Sequence, residues 1–245
     1  MERIARKAVG KNAVAPEPRV IALLLVACGL SGCGIASRIR GAFEPSAEVA
    51  GQGYSRDDEL RLNHLQVKGT HNSYHRRPRF ALVREHDYEQ APLDVQLGEY
   101  GVRAVELDIH PSSRGYEVYH LPVIDSRSTC ALLIDCLGVL KRWSDSNPGH
   151  HPLFVWIEPK DELGGGDFDM DALDAEILSV WPRERLVTPA LVKGGRESVR
   201  EAIVEVGWPT LGEVRGRAMF MLLDRGRQRD AYLRGGKGPG ALDGR

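Results

Sequence analysis

The sequence has no basic excess. Among 245 residues, 33 Lys and Arg stand against 34 Asp and Glu, a formal charge of −1. Nucleic-acid binders normally carry a basic domain or stripe, so that class is excluded. Long apolar runs are also missing. The stretch Val20–Leu30 spans eleven residues, and a helix needs about 18 or more to cross a bilayer, so it is not a membrane anchor. No internal repeat is evident. With 27% charged and 42% apolar residues the composition is globular rather than disordered, and the length suits one large domain or two small ones.

The near-neutral total hides an asymmetry. Residues 1–19 carry five basic side chains (Arg3, Arg6, Lys7, Lys11, Arg19) and two acidic ones, and residues 20–32 are uncharged. A basic segment followed by a short apolar core reads as a secretory signal. The core runs into Leu30-Ser31-Gly32-Cys33, which resembles the lipobox of bacterial lipoproteins. That resemblance implies cleavage before Cys33 and its lipidation; the alternative is an ordinary signal peptide with an incidental cysteine. The expected organisation is a signal peptide over 1–32, a polar tether over 33–64, a catalytic domain over 65–233 and a disordered tail over 234–245. The mature protein is expected outside the bacterial cytoplasm, held to a membrane through its N-terminus. Cysteine is then reduced to Cys130 and Cys136. They form either a disulfide, as an oxidising compartment permits, or two buried thiols on a helix, where a spacing of six positions them poorly for bridging.

From Leu65 onward, short apolar runs alternate with helical patterns. Strands are expected at Leu65–Gly69, Val102–Ile109, Tyr116–His120, Leu153–Ile157 and Met219–Leu223, with a weak one at Leu186–Val187. Helices are expected at Pro92–Tyr100, from Leu132 to Asn147-Pro148-Gly149, at Met170–Trp181 and at Ser198–Val206. Such alternation specifies a parallel α/β fold. Polar residues gather where successive strands end, which favours a TIM-type (β/α) barrel, here incomplete, with about six of eight strands.

Glu106 and Asp108 stand at i and i+2 of a strand and project from one face. Two such acids repel unless a cation lies between them: a metal ion, or a salt bridge to a neighbour such as Arg103. Asn72 follows the first strand and Glu158 ends the fourth. Together the four make an all-oxygen donor set, which suits one Ca²⁺ ion (or Mg²⁺) rather than zinc. His71 and His120 flank this set and suit displacement at phosphorus, one on the attacking side and one protonating the leaving group. His75, His86, His150 and His151 are read as surface or hydrogen-bonded structural residues. His64 belongs to the tether, and His110 shares the face of Glu106 and Asp108. Lys160 is expected to pair with Asp161 or Glu162 or to touch phosphate.

The stretches Gln66–His75, Gly101–His110, Val118–His120 and Trp156–Asp161, followed by Gly207–Gly216, resemble the X-type catalytic barrel of the bacterial calcium-dependent phosphoinositide-specific phospholipase C family over roughly residues 62–233. The resemblance implies Ca²⁺ ligands at Asn72, Glu106, Asp108 and Glu158 and catalytic histidines at His71 and His120. Glu106 or Glu158 would take the inositol 2-hydroxyl proton. It further implies a phospholipid substrate, a cyclic inositol phosphate product and no nucleic-acid partner; no protein partner can be inferred. No calmodulin-like, pleckstrin-like or lipid-binding module accompanies the barrel, and the later strands that help hold the inositol ring are not legible. Two alternatives stand beside it. One is a glycerophosphodiester phosphodiesterase, whose usual His-Arg-Gly start is replaced here by Gly69-Thr-His-Asn-Ser73. The other is an inactive lipoprotein that binds lipid headgroups.

Overall fold

In the structure, a computed structural model that describes residues 54–161, 163 and 169–232, Val102–Ser112 forms the long strand β2. The expected signal peptide, lipidation site Cys33, tether up to residue 53 and tail 234–245 lie outside the described residues. Strand β1 is short, Lys68–Gly69. β3 is Gly115–Val118, β4 is Leu153–Pro159 and β5 is Ala218–Leu222. The order is β1-β2-β4-β5, all parallel, with β3 returning antiparallel on β2. Helix α1 (Leu93–Gly98) lies between β1 and β2, and α2 (Leu133–Ser146) between β3 and β4. Among the described residues four α-helices lie between β4 and β5: α3 (Met170–Val180), α4 (Pro189–Lys193), α5 (Val199–Glu205) and α6 (Leu211–Val214). α7 (Arg227–Tyr232) follows β5. Among the described residues the sheet is not closed. The fold is an incomplete α/β barrel of TIM type.

Local chemistry sets these boundaries. Asp169, Thr188 and Ser198 accept backbone N–H bonds at the starts of α3, α4 and α5, satisfying donors a helix cannot pair internally. Thr210 and Glu213 cap α6 reciprocally. α2 buries Leu133, Cys136, Leu137, Leu140 and Ser144 on one stripe and stops where Pro148 constrains Asn147. Gly216 adopts φ +68°, and a Cβ there would sit 2.5 Å from the Pro148 carbonyl oxygen, so only glycine fits the turn into β5.

The two faces of the sheet differ. Val105, Leu107 and Ile109 of β2, with Val155 and Ile157 of β4, join Leu137, Leu140, Leu173, Ile177 and Trp181 in the main core. Full burial of each such leucine is worth ~1.5–3 kcal/mol. The opposite face carries Ala104, Phe154, Trp156, Met219 and Met221 around a cavity of about 400 Å³, and further along β2 and β4 it carries Glu106, Asp108 and Glu158.

Three expectations change, and one open alternative is resolved. The strand expected at Tyr116–His120 is not a barrel strand: it folds back on β2 across Ser113-Arg114, with Ser112 opposite Gly115. Six residues between Ile109 and Tyr116 are too few for a parallel crossover. Leu186 makes only a single bridge, to Ala218. The expected tether does not extend unattached to residue 64, because Leu62 is buried and Asp57 is paired with Arg215 at 2.6 Å. Cys130 and Cys136 are joined by a disulfide with Cα atoms 5.3 Å apart. They do not share a helix, since α2 begins only at Leu133, which removes the geometric objection to bridging.

His150 is a buried structural residue, as its sequence context implies. Its Nδ1–H donates to the His151 carbonyl, and its Nε2 accepts from Ser144 Oγ at 2.7 Å. Ser144 Oγ in turn accepts from Arg185. Burial lowers the imidazole pKa to about 4. Because the folded value lies below the unfolded one, the unfolded chain binds more protons between pH ~4 and ~6.5. The stabilisation is therefore complete above pH ~6.5 and is lost as pH falls toward 4. Between pH 7.5 and 5, wild type should lose about 2 kcal/mol more stability than His150→Gln in urea denaturation. Equal losses would show that His150 does not set the acid limb.

Candidate active site

Parallel register determines which charges meet. Asp108 on β2 lies directly beside Glu158 on β4, and Glu106 lies beside Trp156. Glu106 and Asp108 share the inner face because they are two residues apart. Carboxylate oxygens of Glu106, Asp108 and Glu158 consequently fall within 4.8 Å of one another. Asp108 is fully buried, and neither of its oxygens accepts a well-formed hydrogen bond. Burial pushes its carboxyl above the ordinary aspartate range, with Lys160 pulling it back.

Lys160 bridges the acids, its Nζ 3.0 Å from Asp108 and 2.9 Å from Glu158. Burial alone would lower the ammonium pKa, but the bonds to Glu158 and Asp108 carry it above the usual lysine value. Its backbone N–H donates to Ile109 O, which fixes the residue beside β2 just past the end of β4. Lys160 does not pair with Asp161, which instead accepts from His110 Nδ1 at 2.7 Å. Nor does Arg103 serve the acids: it donates to Leu97 O and Val102 O and lies over Trp143.

The loop after β1 is fastened to β2 by buried polar bonds. Ser73 Oγ accepts from Glu106 N, Ser73 N donates to Glu106 O, and Gln96 donates to Ser73 O. Asn72 takes the left-handed conformation at φ +46°, which asparagine tolerates better than most residues. Its backbone N–H then donates to Glu106 Oε2 at 3.0 Å. Its side-chain amide accepts from Tyr74 and donates to Tyr88. His71 Nε2 lies 3.4 Å from the same Glu106 oxygen, with its side chain 77% exposed toward solvent. The three convergent carboxylates fit a hard divalent cation; the buried one is ion-paired to Lys160 but accepts no well-aligned hydrogen bond.

A second polar centre adjoins the first through Tyr88, which stacks on His75 with ring centroids 4.1 Å apart. Asp125, wholly buried, binds His75 Nε2 through one oxygen at 2.7 Å and His120 Nδ1 through the other at 2.9 Å. Asp125 thereby commits Nδ1 of His120 and not Nε2.

His71, Asn72, Glu106, Asp108 and Glu158 thus lie in one cluster, and His120 lies on the adjoining centre. Asp125 was missed in the sequence, and Lys160 was assigned to Asp161 or Glu162 or to phosphate rather than to Asp108 and Glu158. Lys160, two residues after Glu158, carried a signal, since an i, i+2 pair at a strand end shares a face. Asp125 carried none, because its role depends on a turn closed by paired bonds between Leu121 and Asp125.

The chain matches the family described as Phosphoinositide phospholipase C, Ca²⁺-dependent, over residues 60–117 and 112–245. Among solved structures it is similar to a calcium-dependent phosphoinositol-specific phospholipase C from a Gram-negative Pseudomonas species. Identity is 21% and TM-score 0.59, with 74% of this chain and 64% of that one covered. The myoinositol complex of a Pseudomonas phospholipase C gives 21% identity and TM-score 0.55, covering 69% of this chain and 60% of that one. A Ca²⁺-dependent phosphatidylinositol-specific phospholipase C from Streptomyces antibioticus gives 20% and 0.53, over 71% and 62%. The chain therefore spans less than two thirds of these relatives. No curated protein matches significantly.

Removing Lys160 tests the electrostatics of the cluster. Lys160→Met leaves buried Asp108 without its cation and should cost about 2 kcal/mol, below the full penalty for a buried pair because Lys160 is about a quarter exposed. Saturating Ca²⁺ should raise the melting temperature of the variant more than that of wild type. Equal calcium shifts would mean that the lysine and the ion do not serve the same carboxylates.

Proposed function

Because the chain belongs to the Ca²⁺-dependent phosphoinositide phospholipase C family, we propose that it cleaves phosphatidylinositol-type lipids to a cyclic inositol phosphate and diacylglycerol. The observation that carries this reading is the convergence of Glu106, Asp108 and Glu158 beside His71 at the ends of parallel strands. One Ca²⁺ ion held by these carboxylates and Asn72 would acidify the inositol 2-hydroxyl and screen phosphate charge. Glu106 or Glu158 takes the hydroxyl proton as the 2-oxygen attacks phosphorus. His71 stabilises the charge gathering on the phosphoryl oxygens. His120, held at Nδ1 by Asp125, gives a proton from Nε2 to the departing diacylglycerol oxygen as its bond to phosphorus breaks.

The surroundings of His120 support a lipid over a soluble diester. Val123, three residues on, is 92% exposed in the left-handed region at φ +67°, a conformation β-branched residues rarely adopt. Exposed Phe80, Leu82 and Ile124 lie with it around a groove flanked by Arg79 and Arg127. Apolar side chains rimmed by cations suit an anionic membrane surface. We further propose an extracytoplasmic location with Cys33 lipidated, a reading supported by the Cys130–Cys136 disulfide.

Phosphatidylinositol micelles followed by phosphorus NMR provide the test. A cyclic phosphate signal is expected in calcium and not in chelator, and His120→Ala should slow turnover by about 10²–10⁴-fold. Product formation indifferent to calcium, or none in either condition, would overturn the reading. In cells, palmitate labelling should be lost in Cys33→Ser; persistent labelling would exclude that attachment site.

A further inference from the structure

His86, His120 and Asp125 form a second cluster with metal-ligating chemistry, distinct from the carboxylates, their donor atoms all within 4.8 Å of one another. His86 Nδ1 lies 3.7 Å and His120 Nδ1 2.9 Å from the same oxygen, Oδ2 of Asp125. The two imidazoles meet edge to face, centroids 5.2 Å apart and planes at 90°. Zinc arms of 2.0–2.1 Å in tetrahedral geometry separate ligand atoms by about 3.3 Å, between the two observed distances. Small side-chain adjustments bring all three donors onto one ion.

From this geometry we propose that His86, His120 and Asp125 bind one Zn²⁺ ion and that zinc bound there shuts off proton donation by His120. Two imidazoles and one carboxylate suit zinc and disfavour Ca²⁺, which selects oxygen ligands. Buried His75, donating to the other Asp125 oxygen at 2.7 Å, orients the carboxylate as outer partners do in zinc sites. The set supplies three protein ligands and leaves the fourth position to water or a phosphate oxygen. His86 and His120 are each partly exposed, at 17% and 23% of the side chain, so an ion can enter from solvent. Coordination at Nδ1 displaces the proton that His120 shares with Asp125 into solvent and ties the ring to the metal, and the Nε2–H that remains belongs to a neutral imidazole, a far weaker acid than the imidazolium that donates.

Binding does not depend on the phospholipase reading; only the inhibitory consequence rests on it. The experiment is calorimetric titration of ZnCl₂ into protein already saturated with Ca²⁺, so that the carboxylate site is filled. One zinc per chain is expected, with affinity falling about a hundredfold in His86→Ala and unchanged in Glu158→Gln. No zinc uptake, or uptake indifferent to His86, overturns the proposal. A cobalt titration of wild type needs no variant. The intense visible bands of four-coordinate cobalt with imidazole ligands support the site, and the weak bands of an octahedral oxygen site overturn it. Zinc should also inhibit phosphatidylinositol cleavage in wild type and much less in His86→Ala, whose turnover without zinc should match wild type. A protein inactive on that lipid yet binding zinc through His86 would retire the activity and keep the site.

Discussion

The structure is organised around one electrostatic problem: a buried carboxylate beside two others. The parallel register of β2 and β4 sets Asp108 against Glu158, and the period of two in β2 adds Glu106 to the same face. Like charges so close in a low-dielectric setting disfavour their own ionised state. Lys160 is the cation the chain supplies, and it follows the end of β4, where the pairing of β2 with β4 stops. An ion pair held this way adds little net stability once desolvation is counted. Its value lies in keeping three oxygen donors convergent.

That convergence depends on groups that make no contact with a reacting molecule. Ser73 binds the loop after β1 to the backbone of β2, Gln96 ties the same loop to α1, and Asn72 accepts an unusual conformation to aim its N–H at Glu106. The pair Asp125 and His75 does for His120 what this network does for Asn72. In both cases a carboxylate oxygen fixes the orientation of a polar residue, Glu106 for Asn72 and Asp125 for His120. Geometry is thereby set by the core rather than by the flexible side chains at the rim.

How much of this was legible follows from the range of the interactions. The alternation in Val102–Ile109 and the run Leu153–Ile157 exposed both central strands, because periodicity is local. The acids and histidines could be assigned to strand ends for the same reason. The antiparallel return of β3 was misread, although Gly115 and the short connection carried the signal. Short helices such as Leu211–Val214 escaped because a single turn has no periodicity to detect. Lys160 was credited to Asp161, its neighbour in sequence, whereas register delivers it to Asp108. Asp125 was invisible, since no local pattern reports that residues 75, 86 and 120 converge on residue 125.

A histidine used as a proton donor needs one nitrogen held and the other free. Holding it with a buried carboxylate takes a donor–acceptor distance near 2.9 Å, as between His120 and Asp125. That distance is also close to the separation of two ligands on a small tetrahedral ion. One further imidazole within reach therefore turns a proton-donating pair into a metal triad. His86 brings that imidazole here, while the carboxylate cluster gathers oxygen donors with Lys160 and exposed His71 beside them, a set of the kind that suits hard cations. The two adjoining donor sets thus differ in kind, nitrogen with oxygen in one and oxygen alone in the other, and in both a buried carboxylate fixes charge and orientation at the strand ends.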